Sequence, residues 1–315
     1  SGAQLVELRL DYLKRNVNLP RLLDNRPCPV IATCRRPQDG GRWEGTEEAR
    51  QMILRSAIAG GVDYVDLEED VATVIPRYGD CKRIISLHNF RETPQDLEAV
   101  HQRLAALDAD IVKIATMAHS PHDGLRMLRL MRESKVPTIG ICMGDIGTPS
   151  RLLAGKFGAP FTYSTFHHER SLAPGQLSYQ QMTEIYHYEE IGPDTEVYGV
   201  IADPVGHSLS PVIHNRAFQE LGLQKVYLPF RVPREDLRPF LTDCDEMGIR
   251  GLSVTIPHKE DVISCIDEVD SAARDIGAVN TILFRDEKTF GTNTDLPAAM
   301  ASIAPALESR YGSNG

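Results

Sequence analysis

Through the first half of the chain, short apolar runs bounded by polar loops alternate with longer stretches in which apolar residues recur every third or fourth position. The runs at 5–10, 30–34, 64–67, 83–87, 111–115, 138–142 and 161–163 have strand length, and several are apolar nearly throughout, as strands covered on both faces are. Helical patterns lie between them, for example at 47–59, 94–107, 124–134 and 150–157. This cadence predicts a parallel α/β domain, either a barrel or an open doubly wound sheet. Seven strand–helix units are present where a (β/α)8 TIM-type barrel has eight, so a barrel is expected with its first unit lying before Ser1.

Around Ile191-Gly192-Pro193-Asp194 the pattern restarts. A strand at 197–201 leads through a Gly/Pro/Ser-rich loop into a helix from about Pro211. A second strand at 226–230 precedes a helix opening at Pro233, and a third follows at 252–255. Strands at 279–284 and 290–293 flank the polar turn Arg285-Asp286-Glu287-Lys288, a hairpin signal. The expected division is therefore 1–192, an α/β barrel; 193–308, a second α/β domain; and 309–315, a polar linker or frayed end.

Composition narrows the function classes. A net charge of −10 argues against a general nucleic-acid surface but not against small anions held by a few pocket arginines. The longest apolar runs are broken by Pro and Gly well short of the ~20 residues of a membrane span. No signal peptide is visible. Six scattered cysteines without a Cys-x-x-Cys pair fit reduced thiols, hence a cytoplasmic protein.

In α/β barrels the chemistry sits where strands end. Strand ends and the loops after them carry Glu7, Arg9, Arg35, Asp39, His88, Lys113, Arg151 and Gln176. Lys113 lies inside the apolar run Ile111-Val112-Lys113-Ile114-Ala115. A lysine there must be paired or neutral, and a neutral amine attacks ketones to form a Schiff base. The competing explanations are a lysine whose ammonium snorkels out of an ordinary strand and, for His88, a hydrogen-bonded structural histidine.

Four segments resemble, in order, those of the type I dehydroquinate dehydratases: Glu7-Leu8-Arg9-Leu10-Asp11; Ser86-Leu87-His88-Asn89-Phe90 with Thr93-Pro94; Val112-Lys113-Ile114-Ala115; and Ala173-Pro174-Gly175-Gln176. The resemblance implies that Lys113 forms an imine with the ketone of 3-dehydroquinate and that His88, with a pKa near neutrality, moves the protons. It implies that Asp39 orients His88, that Arg151 and Gln176 hold the substrate carboxylate, and that Glu7, Arg9 and Arg35 surround the ring hydroxyls. Neither metal nor cofactor is implied for this step. Asp39 stands where the family usually has glutamate, with a two-glycine loop after it, and Leu172 where it has a hydroxyl residue. His119, His122, His167 and His168 match no family role and are read as loop residues without metal.

The second half carries Ser208-Leu209-Ser210-Pro211, Thr255-Ile256-Pro257-His258-Lys259, Gly277-Ala278-Val279-Asn280-Thr281 and Asn293-Thr294-Asp295. Alone, the first is also an ordinary helix cap followed by Pro, and a Lys–Asp pair is also a plain salt bridge. Together the segments resemble the shikimate dehydrogenase substrate domain. That resemblance implies Ser208, Ser210, Thr255 and Asn280 around 3-dehydroshikimate or shikimate, and Lys259 with Asp295 handling the proton of an NADP-dependent reduction. No Gly-x-Gly-x-x-Gly occurs, so the NADP-binding domain is expected beyond Gly315. Leu296-Pro297 replaces the small residue often found after Asn-Thr-Asp. Two further readings are a fragment that binds such acids without turning them over, and another Schiff-base barrel such as an aldolase.

Overall fold

A computed structural model describes residues 2–13, 18–166 and 175–311 of the chain, with side chains up to residue 305. The first sheet contains β1 (Val6–Arg9), β2 (Val30–Thr33), β3 (Tyr64–Glu68), β4 (Lys82–Asn89), β5 (Ile111–Met117) and β6 (Thr138–Met143), hydrogen-bonded in that order. All neighbours are parallel, in a barrel-like sheet whose edge strands, among the described residues, are β1 and β6. The connections carry α1 (Leu19–Leu23), α2 (Glu47–Ala59), α3 (Glu69–Ala72), α4 (Leu97–Ala105) and α5 (Pro121–Glu133), and α6 (Thr148–Leu152) follows β6. Helix starts follow the capping chemistry of their sequences. Thr46 accepts from the Ala49 amide at α2, and Asp123 reaches back to the Ser120 amide at α5.

Alternation along the strands divides the core in two. Val112, Ile114, Ile85, Leu67, Val65 and Ala32 turn outward and pack under the helices. Ile31, Ile84, Ile111, Ala115, Ile139, Ile141 and Met143 turn inward and form the floor of the concave face. Each such fully buried aliphatic contributes roughly 1.5–3 kcal/mol.

The seventh expected strand is not one. Residues 161–163 form no ladder; their rings join the inner-face cluster, with Phe161 edge-on to Tyr64 at 6.1 Å and 5.9 Å from Tyr163. Two bulky aromatics in three residues gain more by filling the concave face than by pairing at its edge.

The second sheet is mixed, in the order β10-β12-β11-β9-β7-β8. Its strands are β7 (Glu196–Ala202), β8 (Lys225–Arg231), β9 (Ile249–Val254), β10 (Glu268–Val269), β11 (Thr281–Arg285) and β12 (Lys288–Thr292). Its helices are α7 (Ser210–Glu220), α8 (Leu237–Asp243), α9 (Ser271–Ile276) and α10 (Asp295–Tyr311). The expected hairpin is β11–β12, turned by Asp286 and Glu287, both at positive φ as the twist of a two-residue hairpin demands. The expected polar tail is helical as far as Tyr311, as the end of α10. No described helix is long and apolar enough to cross a membrane.

The two halves share one core. Leu125, Leu128 and Met131 of α5, with Leu152, Leu153 and Phe157, belong to the same buried cluster as Val226, Phe240 and Ile249 of the second half. Glu246 ties down Arg129 (2.6 Å) and Arg132 (2.9 Å), and His122 meets Asp243 at 2.7 Å.

Candidate active site

Inward parity brings the polar residues of different strands together. On β1 the inward positions are Glu7 and Arg9, on β3 Asp66 and Glu68, on β4 Ser86 and His88, and on β5 Lys113; Thr33 and Arg35 follow the same parity on and just beyond β2. Of these, Glu7, Arg9, Arg35, His88 and Lys113 open onto one cleft, lined also by Asp39, Phe90, Ile141, Met143, Arg151, Tyr163 and Gln176. All eight residues that the sequence places at the first site therefore line one cleft.

Lys113 is 5% exposed, so its ammonium has left water and must be compensated. Its Nζ donates to Asp66 Oδ2 at 2.9 Å, lies 3.9 Å from Glu7 and sits 4.1 Å from the centre of the Tyr163 ring. It does not snorkel to solvent. Asp66 also takes Arg35 at 2.7 Å and the Ser86 hydroxyl at 2.6 Å. Burial pushes the Asp66 carboxyl up, but Arg35 and then Lys113 outweigh it and hold the group well below the usual carboxylate range. Behind it, Glu68 joins Arg35 to Arg50, which reaches Glu47 on α2. The amine is thus anchored through a buried chain of alternating charges.

His88 departs from expectation. Arg35 approaches Nδ1 at 3.1 Å, and since a guanidinium only donates, Nδ1 must accept and Nε2 carries the proton. Burial, then the charges of Arg35 and Lys113, push its pKa well below the ordinary histidine value rather than leaving it near neutrality. Asp39 does not orient it. Its carboxylate is held by Arg36 Nε at 2.6 Å at the cleft rim, while the His88 ring stacks on Phe90 at 6.2 Å. The glycines after Asp39 make this possible: Gly40 lies at φ +80 against Phe90, and a Cβ on Gly41 would meet the Arg35 carbonyl oxygen at 2.0 Å.

Arg151 is buried, and among the described residues no carboxylate pairs with it and its Nε has no hydrogen-bond partner. Burial alone pulls its pKa down to about 10. A desolvated guanidinium facing a cleft is a receptor for a carboxylate. Arg9 is instead committed to Asp11, at 2.9 and 2.7 Å, and Glu7 accepts from Thr33 at 2.8 Å. Leu172, Ala173, Pro174, His167 and His168 lie outside the described residues. Sequence reasoning missed Asp66, Glu68, Ser86 and Tyr163; Asp66 carried the signal that singled out Lys113, a charge inside an apolar strand.

In the second half, Lys259 Nζ and Asp295 Oδ2 are 2.6 Å apart, and that hydrogen bond first of all lowers the Asp295 carboxyl. Asn280 sits beside them. Its side chain bonds Thr294, and backbone bonds join it to Val254 and Val279 to Lys259. Ser208 Oγ accepts the Ser210 amide at 3.3 Å, the local turn of a helix start, and keeps its own proton to donate. Tyr227 joins this loop to β9 through Ser253 at 2.7 Å, and Thr255 follows β9, its amide bonded to Ile201. Strand ends thus gather Thr255, Lys259, Asn280 and Asp295, while among the described residues no hydrogen bond joins the serine pair to the Lys259–Asp295 pair.

Residues 1–193 match the family model described as type I 3-dehydroquinase, and residues 200–282 match the shikimate dehydrogenase substrate binding domain. A bifunctional 3-dehydroquinate dehydratase/shikimate dehydrogenase of Arabidopsis thaliana, named as chloroplastic, is 41% identical over 98% of this chain and 53% of its own length. The chain thus spans about half of that relative. The 3-dehydroquinate dehydratase of Methanopyrus kandleri is 36% identical over 58% of this chain and 86% of its own. A solved structure of the dehydroquinate dehydratase and shikimate dehydrogenase region of AroM from S. pombe superposes with a TM-score of 0.51 at 29% identity, covering 97% of this chain and 62% of that one. The chain belongs to the type I 3-dehydroquinase family, its first 193 residues carrying that family's fold and a shikimate dehydrogenase substrate domain following them.

Proposed function

We propose that the first cleft dehydrates 3-dehydroquinate to 3-dehydroshikimate through an imine on Lys113. The observation that carries this is a buried amine held on Asp66 in one cleft with a histidine and an uncompensated arginine. Arg151, with Gln176 lining the same cleft, takes the substrate carboxylate and so fixes which ring carbon meets Nζ. The amine adds to the ketone and water leaves. The iminium then draws electrons from the adjacent C–H bond, a base takes that proton, and the resulting enamine expels the hydroxyl one carbon further on as it is protonated to water. Hydrolysis of the imine returns Lys113.

In this reading His88, which lines the same cleft, moves these protons. It is neutral before substrate arrives, as a base must be, yet Arg35 occupies the lone pair on Nδ1. Proton abstraction at that atom requires Arg35 to let go, and Arg35 has Asp66 and Glu68 to retain it. Glu7, Arg9 and Arg35 are the polar groups for the ring hydroxyls. The shared cleft supports turnover rather than binding alone.

The second half is proposed to hold 3-dehydroshikimate or shikimate through Ser208, Ser210, Thr255 and Asn280, with Lys259 and Asp295 giving or taking the hydroxyl proton. NADP would supply the hydride. Residues 193–308 would contribute the substrate side of that reduction.

The test is direct. The dehydration creates a conjugated enone, whose ultraviolet absorbance should grow when 3-dehydroquinate is added, without metal or nucleotide. No absorbance change in a folded protein, or an unchanged rate in Lys113→Ala, would contradict the proposal.

A further inference from the structure

We propose that the phenolic hydroxyl of Tyr163 is a specificity contact, bonding a ring hydroxyl of the cyclic ketone whose carbonyl carbon joins Lys113. This rests on the imine reading above and adds to it a determinant of which ketones are accepted.

Position comes first. Tyr163 belongs to the segment that crosses the concave face instead of pairing at its edge, fixed there by Phe161 against Tyr64. Its ring centre is 4.1 Å from Lys113 Nζ, so whatever bonds to Nζ lies against this residue.

Its hydrogen bonding is the second observation. The Tyr163 hydroxyl is buried and has no partner among the described residues. Leaving a buried hydroxyl unpaired is costly, and most such groups are satisfied. Phenylalanine would fill the same apolar floor without that cost, so the hydroxyl is a local violation of the kind concentrated at functional sites.

The neighbouring groups supply the third. Arg9 is committed to Asp11, Glu7 to Thr33, and Asp66 to Arg35, Ser86 and Lys113. Among the described residues lining this cleft, the buried side-chain atoms without a hydrogen-bond partner belong to Arg35, which Asp66 and Glu68 already hold, to Arg151, suited to an anion, and to Tyr163, suited to a hydroxyl. Burial, then Glu7 and Asp66, keep the phenol protonated, hence able both to donate and to accept.

Tyr163→Phe separates these roles. The free protein should melt at the same temperature or higher, because the substitution removes an unanswered buried group. Its KM for 3-dehydroquinate should rise about tenfold or more, the effect of one lost hydrogen bond to a buried partner. Borohydride trapping of 3-oxocyclohexane-1-carboxylate, which keeps the ketone and carboxylate but has no ring hydroxyl, should be equal in parent and variant. An unchanged KM, or equal weakening toward both ketones, would overturn the contact while leaving the imine reading intact. Failure of the parent to trap either ketone would overturn the imine reading and this contact with it.

Discussion

Asp66→Asn is the substitution that most severely tests the buried charge network. The asparagine keeps the shape but removes the charge that answers both Arg35, at 2.7 Å, and Lys113, at 2.9 Å, at a carboxylate with no exposed side-chain surface. Removing one partner of a buried ion pair and leaving the other uncompensated costs roughly 3–5 kcal/mol. Typical domains have only about 5–15 kcal/mol in total, so the variant should fold but with its melting temperature lower by roughly 6–20 °C. Acid titration supplies a second, independent signature. The folded Asp66 carboxyl lies below the unfolded value of about 3.9, so as pH falls the unfolded chain takes up the proton first. The stabilisation is therefore complete above about pH 5 and drains away below pH 4, by up to ~1.4 kcal/mol for each pH unit. Asparagine has nothing to titrate, so the variant's acid limb should be shallower by that amount. Urea unfolding of both proteins from pH 7 down to pH 3 reads both effects, and borohydride trapping should show slower adduct formation at Lys113. A variant within about 1 kcal/mol of the parent, with a parallel acid limb, would show that Asp66 is not the counter-ion that positions the lysine.

Two other substitutions probe different parts of the account. Arg151→Met keeps the apolar stem but removes a buried charge without a paired carboxylate, so unfolding should be no easier than in the parent. Dehydroquinate binding should weaken roughly 30-fold or more, since losing one partner of a desolvated charge pair costs about 2–5 kcal/mol; loss of stability with unchanged affinity would contradict the receptor role. Glu246→Gln cuts the clamp between the two halves, whose carboxyl is held at about 2, chiefly by its hydrogen bond to Arg129. Its partners are partly exposed, so denaturant unfolding should show a loss of only about 0.2–1 kcal/mol, present above about pH 4.3 and fading toward pH 2. A larger loss would mean that the clamp, rather than the shared apolar core, joins the halves.

Motif order made the first cleft legible in outline: Lys113, His88, Arg151 and Gln176 come from separate elements, yet all line it. What sequence reasoning lacked was the parity of the strands. Counting alternate residues from Lys113 and carrying that face to its neighbours points to Ser86 on β4 and Asp66 on β3, the groups that anchor the amine. Asp66, between Val65 and Leu67 on β3, carries the same signal as Lys113, but Glu68, Glu69 and Asp70 follow it closely and make it read as one of a polar run. The segment at 161–163 was misread because its composition suits a strand while its aromatic bulk suits the barrel interior. His88 and Asp39 were paired by resemblance, but Arg35 is the nearer partner of the imidazole and Arg36 of the carboxylate, a choice set by the tertiary approach of β2, β4 and the Gly40-Gly41 turn.

The measurement that bears most directly on the central claim is borohydride reduction in the presence of 3-dehydroquinate, followed by peptide mass analysis of the parent protein and Lys113→Ala. The account predicts one covalent adduct, on the peptide containing Lys113, absent from the variant. An adduct on a different lysine, or none in a protein that is folded and binds the substrate, would contradict the assignment of Lys113 as the Schiff-base residue.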